Sequence, residues 1–398
     1  MRMSTSQTIA TMPPQEAAYD PLALQRLDTH FRKLVDDDRL QCASYLLARN
    51  GRVFACEAFG RLKHGEGEQA EFRADSIRRI ASITKLFTAT AIFQLIEQGK
   101  LYLKQPVADW IEEFKHPMYE RIHIWHLLTH TSGLWPDPGY HLEPYPFGSW
   151  DVRFAFEPET EGPFAITDEA ELLKLRRSAW IRAIMAVKPL CKPGTQWNYS
   201  SNAYAILGEI VTRASGVPYE EYIIRNIAQP LGMQRTFFNV PPELHAEVCT
   251  TNAWDEQRLR ITDRSFDPPR AGGGLYSTLE DLFRFGQMFL NKGQYGGVRV
   301  LSRKSVERMT RNHLEGLNLF AYCWGGKIEG MPHGLGPSVT QTNEWVPHGS
   351  FGHEGAGRSK LIIDPSHEAV VVYFSPSNVD WLPESIVHPQ QMIWSGWQ

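Results

Sequence analysis

The sequence predicts a mixed α/β (α+β) fold. Both ends of the chain supply one antiparallel sheet flanked by helices, with a mainly helical region inserted between them. Three observations predict it. Strand-length apolar runs cluster at residues 44–59 and again at 361–374. A turn signal divides each cluster, as a hairpin requires. The residues between the clusters carry helix-length apolar periodicity broken by Pro- and Gly-rich loops.

Taken in order, residues 1–19 read as a loose polar arm. Residues 22–35 place Leu22, Leu24, Leu27, Phe31 and Leu34 near helical spacing, which predicts an amphipathic helix. Asn50-Gly51 lies between the runs 44–48 and 53–59 and is a strong hairpin signal. Residues 86–97 are apolar on nearly every side, so this helix belongs in a core, with Gly99 as its stop. Helices are expected at 168–187, 203–214, 219–227 and 279–290. A second hairpin joins 361–363 to 369–374 through Asp364-Pro365-Ser366-His367-Glu368. The expected division is a sheet domain from 20–98 with 300–398, and a helical domain from 99–299.

Composition excludes several classes. The 398 residues are 42% hydrophobic, enough for a sizeable core. A net charge of −4 gives no basic footprint for nucleic acid. No apolar run reaches membrane-span length, and the polar first fifteen residues lack a secretory h-region. The five cysteines, Cys42, Cys56, Cys191, Cys249 and Cys323, are scattered without C-x-x-C spacing. This argues against a disulfide framework and for reduced thiols in the cytoplasm.

Residues 135–171 stand apart. They combine Trp135, Tyr140, Tyr145, Phe147, Trp150, Phe154, Phe156 and Phe164 with many acids and one basic residue, Arg153. Two readings stay open: an irregular segment packing its rings on the core, or a lid beside a site. Three Trp residues, Trp381, Trp394 and Trp397, mark a tail that either packs back on the body or joins a partner.

The chemistry centres on Ser82-Ile83-Thr84-Lys85. Positions i and i+3 share one face of a helix, so hydroxyl and amine can meet. A serine hydroxyl needs a base, and a buried lysine can serve. Chance alone supplies about one S-x-x-K in a chain of this size, so its companions decide. They are the segments 126–134 (H-L-L-T-H-T-S-G-L), 193–204 with Tyr199-Ser200-Ser201-Asn202, and 351–357 with His353-Glu354-Gly355.

With these segments in this order, the chain resembles the serine β-lactamase and penicillin-binding-protein superfamily. The likeness is to its class C-related branch, which includes family VIII carboxylesterases. It spans roughly residues 40–375, and residues 271–278 (A-G-G-G-L-Y-S-T) add a further matching segment. The resemblance implies Ser82 as the acylated nucleophile, Lys85 as the amine that activates it, and Tyr199 as the phenol that shuttles protons. It implies an oxyanion hole from the Ser82 and Ala356 amides. Ser201, His353 and Gly355 fall at substrate-facing positions, and for His353 two readings stay open: substrate contact, or bracing of the strand end by hydrogen bonds. It implies no metal and no cofactor, and a small-molecule acyl substrate.

Two departures bear on that substrate. Ser201 stands where the family usually has Asn, and cannot offer an amide to a substrate's acylamino group. His353 stands where class C enzymes have Lys, and a mostly uncharged imidazole holds a carboxylate less firmly. The expected activity is hydrolysis of small to medium carboxylic esters. A peptidase, amidase, transacylase or weak β-lactamase of the same fold is the second reading, and a silent binding protein the third. His123, His126 and His130, with Glu120 nearby, have metal-like spacing, but packing and capping are the preferred reading. Gly272-Gly273-Gly274 reads as a tight turn, and no G-x-S-x-G elbow occurs. The sequence leaves the oligomeric state open.

Overall fold

The computed structural model describes residues 9–65, 67, 70–137, 168–261, 264, 267–317, 319–323, 326–329, 331–341, 345–376 and 382–398. Its main sheet is antiparallel throughout and draws strands from both ends of the chain. In chain order these are β1 (Cys42–Arg49), β2 (Arg52–Gly60), β3 (Ser338–Val339), β4 (Phe351–Gly355), β5 (Ser359–Asp364) and β6 (Ala369–Phe374). Their spatial order is β3-β4-β5-β6-β1-β2, so the early hairpin is stitched to the late strands by β6 against β1. Ser44 faces Phe374 and Leu46 faces Val372 across that seam.

Both hairpins form as expected. Asn50 and Gly51 both take positive φ, at 52° and 75°, the backbone of a tight hairpin turn that matches strand twist. Alternation then sorts side chains to two faces. Leu46, Leu361, Ile363, Val370 and Val372 enter the larger core. Tyr45, Leu47, Ile362, Val371 and Tyr373 enter a second core on the other side.

Helices cover both faces. Helix α1 (Pro21–Asp36) buries Leu27, Phe31 and Leu34 in the second core. The larger core receives α2 (Thr84–Glu97), α3 (Ser201–Ser215) and α4 (Leu279–Leu290). Most of α2 is buried, as its all-round apolarity requires. Its Phe87 ring stacks on Phe285 of α4, with centroids 3.8 Å apart. Truncating such a ring to Ala removes about 3–5 kcal/mol. No helix among the described residues is long and apolar enough to cross a membrane.

One segment differs from the loose arm the sequence suggested, and the tail takes the first of its two readings. Residues 9–19 are pinned: Met12 N–H donates to the Val53 carbonyl, and Ala17 and Tyr19 are buried. The reason lies in the tail. Helix α5 (His388–Trp394) packs on α1, and the Trp397 ring meets Tyr19 edge-on at 5.0 Å. Trp394 and Trp397 thus pack back on the body, while Trp381 and residues 1–8 lie outside the described residues. Most of the aromatic segment, residues 138–167, also lies outside them.

Candidate active site

Ser82 sits in a 3-10 turn, Ala81–Ile83, that leads directly into α2. Ala81 holds φ at +44°, in the left-handed region that a residue with a Cβ disfavours. Thr84 Oγ1 secures the turn by donating to the Ala81 carbonyl at 2.7 Å. Lys85, one helical turn on, is wholly buried.

The Lys85 amine has three acceptors. It donates to Ser82 Oγ at 3.2 Å, to Ser201 Oγ at 3.1 Å and to the Gly272 carbonyl at 2.7 Å. The last contact requires glycine: a Cβ at residue 272 would stand 2.9 Å from Ser201 Cβ. Burial pushes the Lys85 pKa down to about 8, and the Asp137 carboxylate opposes that shift. Desolvation is the larger effect, and the Ser201 hydroxyl bridges Lys85 to Asp137.

Tyr199 precedes α3. Its ring lies under the Lys85 amine at 4.7 Å, and the Tyr204 ring lies at 5.4 Å. His130, itself fully buried, sets its ring 4.4 Å from Tyr199 and accepts the Ser200 N–H on Nδ1 at 3.1 Å. That bond leaves the neutral imidazole proton on Nε2. His123 and His126 are elsewhere engaged: His126 Nδ1 accepts the His123 N–H, capping the short helix Ile124–Leu128.

On β4, His353 is buried and donates Nδ1–H to the Glu354 carbonyl at 2.7 Å, so its Nε2 carries a lone pair. Burial foremost, and then the Lys85 charge, push its pKa down to about 3. The imidazole is therefore neutral at physiological pH. Glu354 points to the other face of the strand, where Lys360 at 3.0 Å and Arg358 at 3.6 Å hold it ionised.

Gly355 brings this strand against the serine turn. A Cβ there would meet the Ile80 carbonyl oxygen at 2.2 Å and Ser359 Oγ at 2.3 Å. The same Ile80 carbonyl accepts from Ser359 Oγ at 3.0 Å. Ala356 follows in the exposed turn after β4, which the bond from Arg358 N–H to the Gly355 carbonyl closes.

A serine, a buried lysine and a tyrosine now converge beside a strand end. The model of the β-lactamase family matches residues 27–382. The chain belongs to the β-lactamase family. It is a serine hydrolase. An uncharacterized protein of Mycobacterium tuberculosis (strain CDC 1551 / Oshkosh) is 31% identical to it over 337 residues, 75% of this chain and 77% of that one. Esterase EstB of Burkholderia gladioli is 29% identical over 303 residues, 70% of this chain and 73% of that one. A solved family VIII carboxylesterase shares the fold with a TM-score of 0.67 at 19% identity, covering 98% and 99% of the two chains.

Of the candidate residues, Ser82, Lys85, Tyr199, Ser201 and His353 come together, with Gly355 packed against the serine turn and Ala356 in the exposed turn beyond it. Sequence reasoning missed Asp137, read only as one acid of an aromatic segment. It also missed the Gly272 carbonyl, since a glycine run says nothing of where its carbonyl points. Asp137 is buried, accepts Ser201 N–H at 2.7 Å and Ser201 Oγ–H at 2.5 Å, and donates its own N–H to the Tyr199 carbonyl at 2.7 Å. Its only sequence signal was proximity to the 126–134 segment.

Proposed function

We propose that the protein hydrolyses small to medium carboxylic esters through an acyl-enzyme on Ser82. Neutral Lys85, with Tyr199 as relay, takes the Ser82 proton as Oγ attacks the ester carbonyl. The Ser82 and Ala356 amides stabilise the oxyanion, each such donor contributing about 3–4 kcal/mol. The relay returns the proton to the departing alkoxide as the C–O bond breaks. Water then attacks the acyl-Ser82 ester and gives its proton to Tyr199 or Lys85. The acid leaves and Ser82 regains its hydrogen. With a pKa near 8, roughly a tenth of Lys85 is neutral at pH 7.

One observation carries the mechanism: the Lys85 amine, buried and 3.2 Å from Ser82 Oγ, has its pKa lowered toward neutrality. Two more favour esters over β-lactams and peptides. The single Ser201 hydrogen is committed to Asp137, so none remains for a substrate amide. His353 is neutral where a cation would hold a carboxylate. The named activities of esterase EstB and the family VIII carboxylesterase agree with this reading.

The test is a fluorophosphonate label followed by peptide mass spectrometry, with turnover of p-nitrophenyl esters, nitrocefin and a D-alanyl peptide. We expect one adduct, on Ser82, and ester turnover well above the rest. An adduct elsewhere overturns the mechanism, and peptide turnover without ester turnover overturns the substrate class.

A further inference from the structure

We propose that Asp137 is a positioning residue that sets the direction of proton transfer at Lys85 by fixing the hydrogen of Ser201. The inference rests on the reading of Lys85 as the base for Ser82. Three bonds place Asp137. Its N–H holds the Tyr199 carbonyl, and its two carboxylate oxygens take the Ser201 N–H and Oγ–H. It therefore staples both sides of Ser200, the N-cap of α3. A carboxylate at a helix N-terminus is favoured by the exposed amides there. Burying one is otherwise costly, so each of these donors matters.

The consequence is a matter of counting hydrogens. Protonated Lys85 has three N–H groups and three acceptors: Ser82 Oγ, Ser201 Oγ and the Gly272 carbonyl. When Lys85 loses a proton, its lone pair must face one of those three partners. The Gly272 carbonyl has no hydrogen to give. Ser201 has one, already held by Asp137. Only Ser82 remains. The neutral amine is thus aimed at the hydroxyl it must activate.

Asp137 acts on Lys85 through charge as well. Among the described residues, the groups that face Lys85 are the Tyr199 and Tyr204 rings, the imidazoles of His130 and His353, the hydroxyls of Ser82 and Ser201, and Asp137. Both imidazoles are held neutral by burial. Among the described residues, Asp137 is the one carboxylate that raises the Lys85 pKa.

The substitution Asp137→Asn keeps the shape, removes the charge and lets an amide N–H point at Ser201 Oγ. Ser201 is then free to donate to Lys85 and compete with Ser82. We expect kcat/KM for p-nitrophenyl acetate to fall ten- to a hundredfold. The acid limb of its pH profile should move down by about one unit, because the ammonium has lost its counter-charge. The double variant Asp137→Asn/Ser201→Ala, which has no competing hydroxyl, should recover part of that loss. Asp137→Glu, which keeps the charge, should keep the limb at its wild-type position whatever its rate.

An Asp137→Asn limb that coincides with wild type overturns the proposal, as does a double variant no better than Asp137→Asn. If Asp137→Asn does not fold by circular dichroism, a displaced limb in Asp137→Glu overturns it and an unmoved one supports it. Wild type labelled at Ser82 by a fluorophosphonate confines any such failure to Asp137. A label elsewhere overturns both the inference and the mechanism beneath it.

Discussion

Lys85 holds its amine over the face of the Tyr199 ring, 4.7 Å from its centre. A cation in that position is attracted by the ring itself, a contribution independent of the phenol hydroxyl. The ring and the hydroxyl can therefore be separated by experiment. Tyr199→Phe keeps the platform under Lys85 and removes only the hydroxyl proposed as the proton relay. Its melting temperature should stay within a few degrees of wild type, while kcat for ester hydrolysis falls about a hundred- to ten-thousandfold. A Phe variant with near-normal kcat would remove Tyr199 from the mechanism.

Lys85→Met replaces a buried amine with an unbranched apolar chain of similar length. Acylation, read from the burst of p-nitrophenol, should slow by at least about a thousandfold. Stability should hold or rise, because the desolvation of Lys85 is no longer borne by the fold. Activity within tenfold of wild type would show that another group accepts the Ser82 proton.

Two glycines are expected to be intolerant for steric reasons. A Cβ at residue 355 meets the Ile80 carbonyl at 2.2 Å, and one at residue 272 crowds Ser201 at 2.9 Å. Gly355→Ala should destabilise by about 1–3 kcal/mol, since backbone rather than a flexible side chain must move. Gly272→Ala should lower kcat/KM about tenfold by displacing the carbonyl that holds Lys85, with a smaller change in melting. Thermal melts and steady-state kinetics on both variants check this, and an unaltered pair would mean the turn yields freely.

The buried histidines predict acid lability. Burial holds His333 at about 4 and His353 at about 3, and pushes His130 well down. Unfolded, each titrates near about 6.5. Below that pH the unfolded chain binds protons the folded one refuses. Stability contributed by the neutral rings is therefore complete above about pH 6.5 and is lost as pH falls toward 4. The slope is up to about 1.4 kcal/mol per pH unit for each ring. Melting temperature should be level near neutrality and drop steeply between pH 6 and 4, less steeply in His333→Gln. A level curve down to pH 4.5 would contradict the burial of these rings.

What the sequence made legible follows the range of the interaction. The hairpins at Asn50-Gly51 and at residues 364–368 were readable because a turn is decided by a few adjacent residues. Helix α2 was readable from its all-round apolarity. Ser82 and Lys85 were readable because one helical turn links them, and Tyr199 and His353 because each sits in a recognisable segment. Asp137 was not. Its partner Ser201 lies 64 positions away, and an acid in an acidic segment carries no mark of burial. Residues 9–19 were misjudged for the same reason. The Tyr19 hydroxyl finds its acceptor on Ile393, 374 positions along the chain.

The seam between β1 and β6 has a consequence for how this enzyme comes into being. Ser82 and Lys85 leave the ribosome long before Gly355, whose backbone closes against the serine turn. Until β6 arrives, β1 has no neighbour on one side, and the hairpin it forms with β2 presents an open edge. Pairings of this sequence separation are slow to form and expose apolar strands while they wait. Ser82 is thus synthesised well before the strand that closes against its turn, and the candidate site cannot assemble until residues 351–374 have been made.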